Sequence, residues 1–226
     1  KSQQYTDYKH SMLQAEAAPI EFMRPNFEHL DETIAGPNNI YLDVTVTFDQ
    51  KLVIPRRKWL STERPLRLFS YDEVKKDVIL VADIKNALAQ KKIIFNLVEN
   101  AQAIHETFIH DMKKIGLESG QNFIVTSPFE APLKALKEIA PALIYGSSQP
   151  EILKIVAMQS MFLLEATNLR ADVIIHPIKI RQHDFFNEDL LAELKRRYKK
   201  IIVGPLDSTE LEQAKALNPF AVIINR

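Results

Sequence analysis

No cysteine occurs in this chain, which excludes a disulfide framework and thiolate chemistry while leaving the redox compartment open. Glycine is scarce, at five in 226 residues, and neither GxGxxG nor GxxxxGK[ST] is found, so no glycine-rich phosphate cradle is available. An excess of either charge is lacking too, with 29 basic residues against 29 acidic ones. Nothing global therefore points to nucleic acid or to an anionic surface as partner. The longest apolar runs, "VILVA" and "IVAMQSMFLL", fall far short of the ~20 residues that span a bilayer. Internal repeats, low-complexity tracts and Gly/Ser linkers are also missing, so residues 1–226 read as a single domain. The chain starts at Lys1 rather than Met, which fits a trimmed N-terminus, and a cleaved signal or a cut within a longer chain would look the same.

What the chain does contain is apolar residues, 46% of the total, ample for a sizeable core. From Ile40 onward, short Ile/Val-rich runs alternate with helical periodicity. "NIYLDVTVTF", "IIFNLV", "NFIVTS", "ALIYGS", "DVIIHPI", "KKIIVG" and "FAVIIN" read as strands. Most do not alternate polar with apolar, as expected of parallel strands buried on both faces. Between them lie helical patterns, among them "DIKNALAQKK", "AQAIHETFIHDMKKIGL", "EAPLKALKEIA", "QPEILKIVAMQSMFLLEATNL" and "NEDLLAELKRRY". Seven strands, plus an eighth hidden in the irregular first 25 residues, predict an α/β fold, a (β/α)₈ TIM barrel. A doubly wound open sheet is the alternative, because periodicity does not report closure. The stretch "YLDVTVTFDQKLVIPRR" (41–57) adds a β-hairpin excursion after strand 2, turning at Asp49-Gln50 and ending in Pro55-Arg56-Arg57.

In a barrel the reactive groups lie at the C-terminal ends of the strands. Those ends carry Asp43 and Thr45, Asn96 and Val98, Thr126 and Ser127, Tyr145, His176, Gly204 and Asn225. A hard cation asks for several converging carboxylates, and only Asp43 qualifies among them. For acid–base chemistry the candidates are His176 and, at the ragged N-terminus, His10. "HETFIH" (105–110) is not a zinc motif, because five residues rotate about 500° on a helix and leave the two imidazoles ~140° apart. The runs "KRRYKK" (195–200) and "RPNFEHLDE" read as solvated helix faces, since no aromatic platform accompanies them.

Several segments in register resemble the glycerophosphodiester phosphodiesterases, a (β/α)₈ family. These are "NIYLDVTVTFDQKLVIP", "KKIIFNLVE", "NFIVTSPFEAPLKALKEIAP" and "KKIIVGPLDSTELEQAKALNPFAVIINR", within a likeness covering roughly residues 25 to 226. The resemblance implies a metal-binding Glu-x-Asp on strand 2, His-Asp at the hairpin end, Glu-x-Lys on strand 3, an aromatic on strand 7 and an opening His-Arg-Gly. The corresponding positions hold Tyr41 and Asp43, Arg56 and Arg57, Asn96 and Val98, and Gly204, with no His-Arg-Gly found. One carboxylate beside a neutral amide is a poor Ca²⁺ or Mg²⁺ site, and arginine cannot act as a general base at neutral pH.

The expectation is therefore a degenerate, catalytically inactive relative with no metal and no other cofactor. It would bind an anionic small molecule or a protein partner at the barrel mouth through Arg56, Arg57, Asp43, Asn96 and His176. The alternative is an active phosphoric diester hydrolase with a non-standard, metal-independent site using Asp43, His176 and the two arginines. No nucleic-acid partner and no transmembrane segment are expected. A periplasmic or secreted location is favoured over a cytoplasmic one.

Overall fold

The protein is described from a computed structural model covering residues 10–14, 18–56, 65–101, 103–117, 120–180 and 182–226. Elements are numbered in chain order. The first half comprises β1 (Ile20–Arg24), α1 (Leu30–Ala35), β2 (Asn39–Val46), β3 (Leu52–Pro55), α2 (Tyr71–Val74), β4 (Val78–Leu80) and α3 (Lys85–Leu88). Then follow β5 (Ile93–Leu97), α4 (Ile104–Lys114), β6 (Phe123–Thr126), α5 (Glu130–Ile139), β7 (Ile144–Tyr145) and α6 (Gln149–Ser160). The last part holds β8 (Val173–His176), β9 (Lys179–Ile180), β10 (His183–Asp184), α7 (Glu188–Arg196), β11 (Lys200–Leu206), α8 (Leu211–Ala216) and β12 (Ala221–Asn225).

Eight of these strands run parallel in the order β7-β6-β5-β2-β1-β12-β11-β8. A bridge from Gly146 to Val173 joins the two ends of that order, so the sheet curls into a barrel. At this seam the Asp172 N–H donates to the Tyr145 carbonyl at 2.8 Å, and the Tyr145 N–H donates to Asp172 Oδ2 at 3.0 Å. Gly146 makes the seam narrow, because a Cβ there would lie 2.8 Å from both Ile175 Cδ1 and Thr126 Cβ. The eighth strand that the sequence left unlocated is β1, paired to β12 on one side and β2 on the other.

Strand alternation sorts the apolar side chains into two layers. Phe22, Tyr41, Ile94, Ile124, Ile144, Val173, Ile202 and Ile223 fill the barrel interior. Met12 and Leu13, on a 3₁₀ turn of residues 11–13, join that interior cluster. On the outer face, Phe95, Phe108 and Phe123 meet edge to face with centroids 5.5–6.0 Å apart, fixing α4 against β5 and β6. Such pairs contribute about 0.5–1.5 kcal/mol each beyond the area they bury.

The excursion after β2 is larger than the expected hairpin. β3 pairs antiparallel with β2 and also with β4, and Val53, Leu66, Val74 and Val78 form a small core of their own. The turn sits where the sequence places it, with Gln50 in the left-handed region at φ 57°. Two expectations need correction. The helix read as running to Leu169 ends at Ser160 in α6. "KRRYKK" is not a solvated face throughout, since Arg197 is only 3% exposed. Its guanidinium donates to Glu193 and to the carbonyls of Leu164, Glu165 and Thr167, which ties the stretch after α6 to the end of α7.

Candidate functional site

Most polar groups at the strand C-termini are used to knit the rim together. Thr126 Oγ1 donates to the Ser147 carbonyl at 3.1 Å, and Ser127 Oγ donates to the Leu97 carbonyl at 2.7 Å. Ser147 Oγ accepts from the Ile175 N–H at 3.0 Å, and Asn225 donates to Asp207 at 3.3 Å. The side of the mouth above β1, β2 and β5 differs. There a cavity of about 260 Å³ is lined by Arg24, Phe27, Tyr41, Asp43, Thr45 and Glu99, among others.

Asp43 is the centre of this cavity. Alternation places Tyr41, Asp43 and Thr45 on one face of β2, with Tyr41 in the barrel core and Asp43 half-buried above it. Asn96, its register partner on β5, donates to Asp43 Oδ1 at 2.6 Å. Arg24, at the end of β1, donates to Asp43 Oδ2 at 2.9 Å, and its guanidinium lies 5.3 Å from the centroid of the Tyr41 ring. Burial works against the Arg24 charge, but the Asp43 carboxylate outweighs it and raises the guanidinium pKa further. Burial, and then the same carboxylate, push the Tyr41 hydroxyl far above its ordinary value, so it stays protonated. Thr45 Oγ1, in a residue only 1% exposed, has no hydrogen-bond partner among the described residues.

Arg24 is the residue that sequence reasoning missed, since it was grouped with the mixed-charge run "RPNFEHLDE". With β1 located, the strand is seen to end Met23-Arg24-Pro25. Against the His-Arg-Gly that the resemblance implies at the chain's opening, only the arginine is common. His10 does not serve in its place. It stands beside the Met12 and Leu13 plug, and neighbouring Ser11 reaches Gln121, just ahead of the N-terminal end of β6.

Arg56 and His176 do not converge on Asp43. Arg56 pairs with Asp31 of α1 on the outer rim, and Arg57 lies outside the described residues. His176 follows barrel-facing Val173 and Ile175 in alternation and so turns outward. Its ring stacks on Phe185 at 4.2 Å, its Nδ1 lies 2.9 Å from the Pro177 carbonyl, and burial lowers its pKa. A larger groove, about 560 Å³, runs outside the barrel between α5 and α6. There Lys137 donates to the Arg170 carbonyl at 2.6 Å, and Arg170 pairs with Glu130 at 2.8 Å.

The divalent metal that this fold implies does not suit the residues present. Both oxygens of Asp43 accept from fixed donors, one of them a guanidinium. The nearest strand-5 donor is a neutral amide, and no group of three His, Asp or Glu side chains converges among the described residues. The arginine supplies the positive charge that the carboxylate requires. The arrangement can offer a ligand a guanidinium edge and a carboxylate, with the buried Thr45 hydroxyl in the wall beside them. Among the described residues the carboxylates lining the cavity are Asp43, ion-paired with Arg24, and Glu99, 3.5 Å from Arg67.

No family profile matches the chain, and no curated protein matches it. Solved structures do. A putative glycerophosphoryl diester phosphodiesterase from Silicibacter pomeroyi superposes with a TM-score of 0.68 at 10% identity, covering 94% of this chain and 92% of that one. The glycerophosphodiester phosphodiesterase of Thermotoga maritima gives 0.63 at 16% identity, over 92% and 95% of the two chains. An Oleispira antarctica phosphodiesterase, solved with the product sn-glycerol-3-phosphate, gives 0.66 at 14% identity over 91% and 92%. The chain has the (β/α)₈ barrel fold of the glycerophosphodiester phosphodiesterases.

Proposed function

We propose that this barrel is a non-hydrolytic binding protein whose mouth takes a small anionic ligand of the size and chemistry of glycerol phosphate. The observation carrying this reading is the Arg24–Asp43 pair in a cavity that also holds an unpartnered, buried Thr45 hydroxyl. Buried hydroxyls are nearly always hydrogen-bonded, so one without a partner in the wall of a cavity is a group that a bound ligand could satisfy if that wall adjusts. The Oleispira antarctica relative holds sn-glycerol-3-phosphate on the same fold, which supports a ligand of that class. A guanidinium fork suits phosphate oxygens, and Thr45 and Asp43 suit hydroxyls.

Calorimetric titration with glycerol phosphate, citrate and sulfate tests the reading, and the phosphate ester is expected to bind best. Turnover of glycerophosphocholine and bis(p-nitrophenyl) phosphate, with and without Ca²⁺ or Mg²⁺, is expected to stay at the buffer rate. Activity that disappears in Asp43→Ala would overturn the proposal in favour of a hydrolase.

Thr45 gives a second expected outcome. Replacing it with valine removes a buried hydroxyl that has no partner, so stability should hold or rise by up to about 1 kcal/mol. Affinity for glycerol phosphate should fall about fivefold, the worth of one neutral hydrogen bond. Thermal melts and titration of the same preparation separate the two effects. A variant that binds as well as wild type would remove Thr45 from the site.

A further inference from the structure

The mouth cavity is built in two levels, with its convergent polar groups in the lower one. Strand register sets that level, placing Asp43 of β2 beside Asn96 of β5 on the side that Arg24 reaches. Extending the register outward by one alternation puts Thr45 beside Val98. Val98 follows β5 and is still held to β2, its N–H donating to the Val44 carbonyl at 3.0 Å. At this position the resemblance implies lysine, and the chain has valine.

Phe27, 48% exposed, and Pro55, partly buried at the end of β3, line the same cavity. The polar groups around them have partners within the protein. Asn26 Oδ1 accepts the N–H groups of Glu28 and His29, both at 3.0 Å, and Glu99 is paired with Arg67 at 3.5 Å. Among the described residues, a ligand seated on Arg24 therefore extends outward between largely apolar walls. Small-molecule sites share this composition, mostly apolar lining with a few polar groups that orient the ligand. A glycerol body sets hydroxyls beside such walls, whereas an alkyl or aryl body buries carbon against them.

We propose that the ligand of the mouth is a free phosphomonoester of an apolar alcohol, with its phosphate on Arg24 and its alkyl or aryl body against Phe27, Pro55 and Val98. This deepens the anion-binding reading given above and rests on it. Glycerol phosphate shares the head of such a ligand but not its body. A cavity of about 260 Å³ has room for a short chain or a single ring, and not for a diacyl lipid.

The test is calorimetric titration with hexyl phosphate, phenyl phosphate and glycerol phosphate. Each methylene buried against the walls should tighten binding about fourfold, so hexyl phosphate should bind about tenfold or more tighter than glycerol phosphate. Val98→Thr keeps the shape, adds a hydroxyl, and should narrow that gap about threefold. Phe27→Ala, at an exposed ring, should narrow it by a similar factor. Arg24→Ala should weaken all three esters, and vesicles carrying phosphatidic acid should not recruit the protein. Glycerol phosphate binding as tightly as hexyl phosphate would overturn this inference and leave the anion site standing. Failure of all three esters to bind would remove both. Hexyl phosphate binding that survives Arg24→Ala, or recruitment to the vesicles, would also overturn it.

Discussion

Replacing Arg197 with alanine should lower the stability of the barrel by about 3–5 kcal/mol, the cost of removing one partner from a buried charge cluster. For a domain of this size the melting temperature should fall by roughly 10 °C. The guanidinium is 3% exposed and holds three backbone carbonyls plus Glu193, itself 7% exposed. Truncation leaves those carbonyls without their donor and part of the carboxylate uncompensated. Lysine at 197 should recover only part of the loss, because an ammonium lacks the planar fork that reaches several acceptors at once. Arg196→Ala, at a side chain about half exposed, should cost about 1 kcal/mol or less. Equal effects at 196 and 197 would refute the buried-clamp account.

Glu193 gives the cluster a pH signature. The hydrogen bond from Arg196 is the largest influence on it, burial opposes that, and Arg197 adds to the same side, so its folded pKa lies below the ordinary carboxylate value. A depressed carboxylate pKa contributes stability that is present above the unfolded pKa. That contribution is lost as pH falls through the folded one. Denaturant melts of wild type should therefore weaken on the acid side of the carboxylate range. Glu193→Gln should be less stable at neutral pH and show a flatter acid limb.

The barrel was legible because its signal is local. Short Ile/Val runs between 3.6-residue periods identify buried parallel strands whichever partners they have. Asp43 and Asn96 could be placed at strand ends for the same reason, and register alone then sets them side by side. Arg24 was not legible, since its meaning comes from a strand whose charges belong to a mixed run and whose partner lies 19 residues away. Arg197 was hidden in the same way: six residues spelled like a solvated face include one that tertiary packing turns inward. The end of α6 carried no stop signal either, because the left-handed position is filled by phenylalanine rather than glycine. For Arg24 and Arg197, what the sequence did not display is a side chain whose environment comes from a non-adjacent segment.

Arg24→Ala should reduce the affinity for glycerol phosphate about 10- to 100-fold, which corresponds to one charge-assisted hydrogen bond of about 1.5–3 kcal/mol. The effect on folding should be far smaller, about 1 kcal/mol, because the Arg24 and Asp43 side chains are each about one-third exposed, at 35% and 34%. The aspartate gives the sharper experiment, because a binding site and a metal hydrolase predict opposite signs for its removal. In the arrangement around Arg24, Asp43 competes with an incoming phosphate for the guanidinium. Asp43→Asn keeps the shape, withdraws the competing charge, and should raise phosphate affinity several-fold while leaving the Arg24→Ala loss in place. A site in which Asp43 held a catalytic cation would lose both ligand and turnover on the same change. Titrating wild type, Arg24→Ala and Asp43→Asn side by side, with Ca²⁺ and with chelator, therefore separates the two. Tighter binding by Asp43→Asn, indifferent to metal, is expected of a barrel whose arginine has taken over the cation's electrostatic role.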